Sequence, residues 1–345
     1  MWLITRNAGN KGRQFRNVLA NSHVLGSQGL TFDLKALVES RQRLRPKTPP
    51  QILHLAATSG PLDIIPVSSL MVHMDRGYDT LWLPKSFRDL RMLPPTSIIY
   101  KSLSCGITVV QTAPNVVIKY GAPFSEEIIC TRFARRMTSL PVPRIIHHPP
   151  FTRIGAWYIC MEKIPGVSLD KVIDTLTVEQ LSHIASQLKS FLAQLRSVES
   201  SKMLGSISGG PYRNEFFPSH LAPKDAFSSA GEFLDYYRWM LMLFCTEKYT
   251  ESLLSRIPRN AAIKFTHGDL LPKNILVEGS RVTGIIDWAT GGFYPAYWEY
   301  CRMHDPNFMT PGWKLVLQEV FLGEPREREI NAVCELVNAI AFNLA

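Results

Sequence analysis

The stretch that decides the fold is His267-Gly268-Asp269-Leu270-Leu271-Pro272-Lys273-Asn274, followed after two apolar runs by Ile285-Ile286-Asp287-Trp288. It sets one Asp, an Asn five residues on, and a second Asp thirteen residues after the Asn. Phosphoryl transfer needs an acceptor for the proton of an attacking hydroxyl, and oxygen ligands for a Mg²⁺ that bridges nucleotide phosphates. Asp269 fits the first role; Asn274 and Asp287 fit the second. A lone Gly-Asp turn would carry little weight, but the whole spacing is a strong signal.

The flanking residues place these groups. Ile263-Lys264-Phe265-Thr266 reads as a short strand feeding the loop. Asn274–Val277 and Val282–Ile286 are apolar, β-branched runs separated by Glu278-Gly279-Ser280, a hairpin signal. Such a hairpin brings Asn274, entering one strand, beside Asp287, leaving the other, so that both reach one metal. The plainer alternative, an Asx-turn at Asp269 and a strand end at Asp287, has to treat that convergence as accident. His267 is a further catalytic candidate. It could act as a base near neutral pH or brace the loop by a backbone hydrogen bond.

With these residues the chain resembles the aminoglycoside phosphotransferase and choline kinase-like enzymes, relatives of protein kinases, and within them the large fungal branch of small-molecule kinases. The resemblance rests on Phe265–Leu270, Asn274–Val277, Gly284–Trp288 and Tyr294-Pro295-Ala296-Tyr297-Trp298-Glu299-Tyr300. It extends upstream through Pro141–Arg144 and Tyr158–Gly166, covering roughly residues 81 to 345. It implies Asp269 as catalytic base, Asn274 and Asp287 as metal ligands, and ATP and Mg²⁺ as cofactors.

Such a site also needs a Lys for the α/β-phosphates and a Glu that holds it. Val116-Val117-Ile118-Lys119 reads as a strand ending in that Lys. Ser125-Glu126-Glu127 starts the next helix with a capping Ser and two acids in its first turn. Glu127 matches the family's helix Glu best, with Glu126 next. The phosphate-binding turn before Lys119 departs from the pattern, because residues 98–110 hold a single glycine. Ser102, Ser104 and Gly106 are its candidates, since backbone amides can cradle phosphate without a Gly-rich run.

Past Gly166 the pattern turns helical. Thr177-x-x-Gln180 is a capping box ahead of Leu181, Ile184, Ala185, Leu188, Leu192 and Leu195 at helical spacing. Phe233, Tyr236, Tyr237, Met240, Leu241 and Phe244 form a second such stripe, and residues 330–345 a third helix. The expected fold class is α+β: a two-lobed protein kinase-like fold with a small β-rich N-lobe, residues 81–165, and a larger, mainly helical C-lobe, residues 166–345. In relatives the connection between lobes hydrogen-bonds adenine through its backbone, which aligns Glu162 and Ile164 with that role.

Composition bounds the rest. The 345 residues are 46% apolar, ample for two lobes. No apolar run is long enough to span a bilayer, so no integral membrane segment is expected. Six scattered cysteines form neither a zinc pattern nor a disulfide framework and fit a reduced, cytoplasmic protein. The net charge of +9 is uneven: residues 1–80 hold ten Lys/Arg against five Asp/Glu, and the remainder 28 against 24. With no basic, aromatic-interleaved helix in the kinase-like part, nucleic acid is not an expected partner. Neither is an obligate protein partner evident.

Residues 1–80 read as a basic, poorly ordered extension. The first 32 contain no acid, a composition that loosely resembles a mitochondrial transit peptide and leaves that destination open.

The expected reaction is phosphoryl transfer to a hydroxyl of a small-molecule metabolite. A polycationic acceptor favours a carboxylate-rich cleft, yet residues 205–260 carry six acids and six bases. A neutral or moderately polar alcohol is therefore at least as good a fit, and Asp269 is expected free of strong cation pairing. Two other readings are a pseudokinase or nucleotide-binding scaffold, which would be expected to lose one of Lys119, Asp269, Asn274 and Asp287, and a protein kinase. Deleting residues 1–80 should cost little stability, because the segment lacks a periodic apolar pattern. Thermal melts of the truncated and full-length chains check this, and an insoluble truncation would overturn it.

Overall fold

A five-stranded antiparallel sheet opens the described fold, and its central strand is apolar because it is covered on both faces. The computed structural model describes residues 83–91, 93–102, 106–150, 156–198 and 202–344, so the expected extension lies outside the described residues. A short helix, α1 (Phe87–Arg91), precedes β1 (Ile98–Lys101), β2 (Thr108–Ala113), β3 (Val116–Tyr120), β4 (Ile145–His147) and β5 (Tyr158–Glu162). The strand order is β1-β2-β3-β5-β4. Val116, Val117, Ile118 and Lys119 of β3 are all buried, and Lys119 lies opposite Ile159 of β5. Helix α2 (Ser125–Met137) covers the sheet with Ile128, and Phe124 and Ile159 pack in the same cluster. Its N-cap is Phe124 rather than the expected Ser125, whose hydroxyl instead accepts a hydrogen bond from the Ala156 amide at 3.2 Å.

The C-terminal lobe is helical around two small sheets. Strand β6 (Val167–Ser168) pairs with β8 (Ile275–Glu278), which pairs with β9 (Arg281–Ile285), and β7 (Ile263–Thr266) pairs with β10 (Gly292–Pro295). The expected hairpin is β8–β9. The capping box at Thr177 and Gln180 is formed and starts α3 (Val178–Ser197). Its leucines pack with Phe265, Trp288, Trp313 and Val316 in one core. A second core gathers aromatic residues of α4 (Ala230–Leu241), α5 (Glu247–Leu254) and α6 (Trp298–Met303) against aliphatic ones of α8 (Glu327–Leu344). There Phe233, Tyr237, Tyr294 and Trp298 stack or meet edge to face, with Phe233 and Trp298 centroids 5.4 Å apart. Helix α7 (Pro311–Val320) packs on α3. Among the described residues no helix is long and apolar enough to cross a membrane.

The two lobes meet where α2 lies on the turn after Asp287. Phe133 packs edge-on against Phe265 at 5.0 Å and Phe293 at 6.2 Å. Gly291 approaches so closely that a Cβ there would lie 2.1 Å from Cys130 Sγ. The Gly291→Ala substitution should therefore force α2 outward and cost about 1–3 kcal/mol, read as a lowered Tm. Combining it with Cys130→Ala removes the clashing sulfur and should recover part of the loss, whereas additive losses in the double variant would reject the contact as cause.

Candidate active site

Lys119 is a buried ammonium with two carboxylate partners. Its Nζ lies 2.9 and 2.8 Å from the Glu127 oxygens and 2.8 Å from Asp287 Oδ1. Burial alone would neutralise the lysine; the charges of Asp287 and Glu127 outweigh it and hold Lys119 above its usual pKa. Burial pushes Glu127 up, opposed by the charge of Lys119. Burial also works against Asp287, but Lys119 outweighs it and keeps this carboxyl below the usual range. Glu126, the other acid in the first turn, is near Arg213 and Ser206 instead.

Asp287 itself sits at φ 64°, ψ 65°, the one left-handed non-glycine residue among those described. Asp tolerates that region better than most side chains, and the kink turns the chain from β9 toward β10. The side chain is 43% exposed, so it faces the cleft while still touching Lys119. The Ile286 amide donates to Asn274 O at 3.0 Å, which ties the residue before Asp287 to the residue before β8.

The loop between β7 and β8 is held from below by buried acceptors. Glu299 Oε2 accepts from the His267 amide at 2.6 Å and the Gly268 amide at 3.3 Å. Gly268 has φ +84°, and a Cβ there would lie 2.8 Å from Thr290 O, so only glycine fits. His267 is fully buried. Its Nδ1 accepts from the Asp269 amide at 3.3 Å, which leaves Nε2 to donate to Ile286 O at 3.0 Å. Burial lowers its pKa. Both ring nitrogens thus bind backbone, so His267 is placed to brace the loop and not to take a proton from substrate.

Asp269 is where the structure departs from expectation. It is buried, and its carboxylate is strongly paired with cations: Oδ2 lies 2.7 Å from Lys273 Nζ and Oδ1 3.2 Å from Arg302 Nη2. Asn274 Nδ2 adds a hydrogen bond to Oδ2 at 3.0 Å and another to the Asp269 carbonyl at 2.8 Å. Arg302 is itself fixed by Asp305 at 2.9 Å and lies over the Phe216 ring. A buried carboxylate without such partners would incur a desolvation cost of several kcal/mol, and at residue 269 the cations supply the compensation.

Asn274 and Asp287 suit a magnesium ion by donor chemistry. With Nδ2 engaged by Asp269, the Asn274 amide oxygen would be its ligating atom, and Asp287 would supply a carboxylate. Two protein oxygens are what Mg²⁺ commonly takes, its remaining positions going to water and phosphate. No group of three or more His, Cys, Asp or Glu suited to a metal occurs among the described residues.

On the nucleotide side, Gly106 stands at an open turn with φ +71°, where the Ser102 amide donates to Ile107 O at 2.8 Å. Ser104 lies outside the described residues. The Glu162 amide donates to Arg144 O at 2.9 Å, and its carboxylate accepts from the Arg144 amide at 3.2 Å. Those bonds engage the Glu162 amide and side chain, so the Glu162 carbonyl and the backbone of Ile164, which abuts Gly284, stand as the candidates toward adenine.

Comparison with known proteins decides the family. The profile of the phosphotransferase enzyme family matches residues 124–329, more than half of the chain and all of the site from α2 to Arg302. The chain belongs to the phosphotransferase enzyme family. No curated protein sequence matches it. Among solved structures, aminoglycoside phosphotransferase APH(4)-Ia is similar at TM-score 0.51 and 13% identity, covering 72% of this chain and 85% of that one. The GDP and kanamycin complex of APH(2")-IIia is similar at TM-score 0.53 and 13% identity, covering 73% and 87%. At such identity the likeness establishes the kinase-like fold.

Within this family member, sequence reasoning missed Arg302, Lys273 and the amide-binding role of Glu299. It also missed the segment 204–217, which bridges to β10 through Gly205 and Phe293. There Tyr212 donates to Phe293 O, and Asn214 Nδ2 donates to the Tyr294 hydroxyl at 2.7 Å. Its Gly209-Gly210-Pro211 is a turn signal that marks it as a shaped loop.

Glu299 generates a pH prediction. Burial pushes the carboxyl up to about 7 from 4.5, against the lowering effect of the His267, Gly268 and Leu270 amides. The folded state therefore keeps this proton longer than the unfolded chain, and stability falls as pH rises from about 4.5 to 7. Glu299→Gln should remove that component, so the Tm of the variant relative to wild type should climb across this window. Parallel Tm–pH curves for the two proteins would reject the assignment.

Proposed function

We infer that this phosphotransferase is a small-molecule kinase that uses ATP and Mg²⁺ to phosphorylate a hydroxyl of a metabolite. The observation that carries this reading is the convergence of Lys119 from β3, Asp287 from the end of β9, and Asp269 with Asn274 from the β7–β8 loop, where the Lys119–Asp287 and Asn274–Asp269 bonds are linked by the Ile286 amide on Asn274 O. Lys119 is aligned to hold the α/β-phosphates, with Glu127 fixing its position. Mg²⁺, when bound by Asn274 and Asp287, neutralises phosphate charge during transfer. Asp269 orients the acceptor hydroxyl and takes its proton as the oxygen attacks the terminal phosphorus. His267, Glu299 and Asn274 keep the loop rigid, so the reacting atoms meet without further ordering.

The route of the chain after Asp287 bears on the protein kinase alternative. Strand β10 begins at Gly292 and is paired with β7, which leaves no length for a peptide-docking activation segment. The intact Lys119–Glu127–Asp287 cluster weighs against a scaffold that has lost chemistry. Around the base, Asp269, Asp305 and Glu215 are set against Lys273 and Arg302, an excess of one carboxylate. That balance suits a neutral or moderately polar alcohol better than a polycation.

The direct test is ATP consumption by the purified chain with Mg²⁺ against a library of hydroxyl-bearing metabolites. Asp287→Ala should abolish turnover while leaving the fold intact. Asp269→Asn should lower kcat by about 10²–10⁴-fold with ATP affinity nearly unchanged. Near wild-type turnover in Asp287→Ala, or an Asp269→Asn protein that loses ATP binding yet turns over at saturating ATP, would overturn the assignment.

A further inference from the structure

Asp269 Oδ2 already receives two donors, Lys273 Nζ at 2.7 Å and Asn274 Nδ2 at 3.0 Å, which fill the two acceptor positions of that oxygen. An acceptor hydroxyl that is to bond to Oδ2 therefore needs one donor near the carboxylate to withdraw. Arg302 is the wrong one to move. Its side chain is 7% exposed, bonded to Asp305 at 2.9 Å and laid over Phe216. Asn274 is neutral and is anchored a second time on the Asp269 carbonyl. Lys273 alone sits at the rim: its side chain is 38% exposed, on a flexible stem near the Phe308 ring, 5.4 Å from Nζ to centroid. It also lies in electrostatic reach of Asp287.

We propose that Lys273 is a movable catalytic cation: it holds Asp269 Oδ2 until the acceptor enters, then releases it and pairs with the phosphoryl group in transfer. The proposal rests on the kinase reading above. In the step, the acceptor O–H proton passes to Asp269 Oδ2 and the acceptor oxygen bonds to the terminal phosphorus. The bond from that phosphorus to the β-phosphate bridging oxygen breaks, its electron pair leaving with ADP. Lys273 stays an ammonium throughout. Burial works against that charge, but Asp269 outweighs it and holds the lysine above its usual pKa.

The test does not need the natural acceptor. Binding of ADP with Mg²⁺, and of ADP with Mg²⁺ and aluminium fluoride (a mimic of the phosphoryl group in transfer), is measured for the full-length wild type, Lys273→Ala, Lys273→Met and Lys273→Arg. The alanine and methionine variants should bind ADP within about twofold of wild type but lose about 100-fold for the aluminium fluoride complex. Lys273→Arg should recover most of that loss. Equal effects on both complexes, or none, would make Lys273 a structural brace and overturn the proposal while leaving the kinase reading intact. A folded wild type that binds no ADP with Mg²⁺ would remove both.

Discussion

The ammonium of Lys119 is the constraint to which the rest of the site conforms. A lysine side chain only 8% exposed is tolerable only with carboxylates beside it, and leaving such a charge unpaired costs about 3–5 kcal/mol. One carboxylate comes from α2 and the other from the end of the β8–β9 hairpin. Strand, helix and hairpin must therefore meet at one point. Apolar packing fixes the same meeting: Cys130 presses on Gly291 and Phe133 on Phe265 and Phe293. The charge and the packing come from the same two turns of α2, so the helix cannot tilt to relax one without losing the other.

The catalytic loop obeys a different rule, which is that buried backbone must find partners. Residues 267–269 lie in the core, away from water, and their amides go to Glu299 and His267. Glu299 works from α6, where one of its oxygens receives two loop amides. Burial pushes its carboxyl upward although the amides of His267, Gly268 and Leu270 oppose it, and the loop gains rigidity at the expense of an acid that resists ionising.

The parts of this design that sequence could reveal are those built from neighbours along the chain. The strand, the loop and the hairpin follow from alternating β-branched residues around a Gly-Ser turn, and the capping box at Thr177 from a four-residue pattern. Lys119 and Glu127, eight residues apart, were legible through strand and helix-start signals together. Long-range pairings were not. Arg302 reaches Asp269 across 33 residues and Glu299 reaches His267 across 32, with no periodicity to announce either. The same physics misled the reading of Ser125: a serine before two acids resembles a cap, but an amide 31 residues away takes its hydroxyl. The expectation of an unpaired Asp269 failed for a related reason, because a carboxylate buried in that loop could not stay unpaired.

The resulting cleft has a symmetry of charge. Two of its carboxylates each carry a lysine: Asp287 carries Lys119 and Asp269 carries Lys273. Lys119 keeps the Asp287 carboxyl below its usual range although burial opposes it. The two lysines differ in what fixes them. Lys119 keeps Glu127 whatever Asp287 does, so it is anchored, whereas among the described residues Lys273 has one carboxylate, Asp269, within ion-pair distance and a side chain 38% exposed, so it has less to hold it in place.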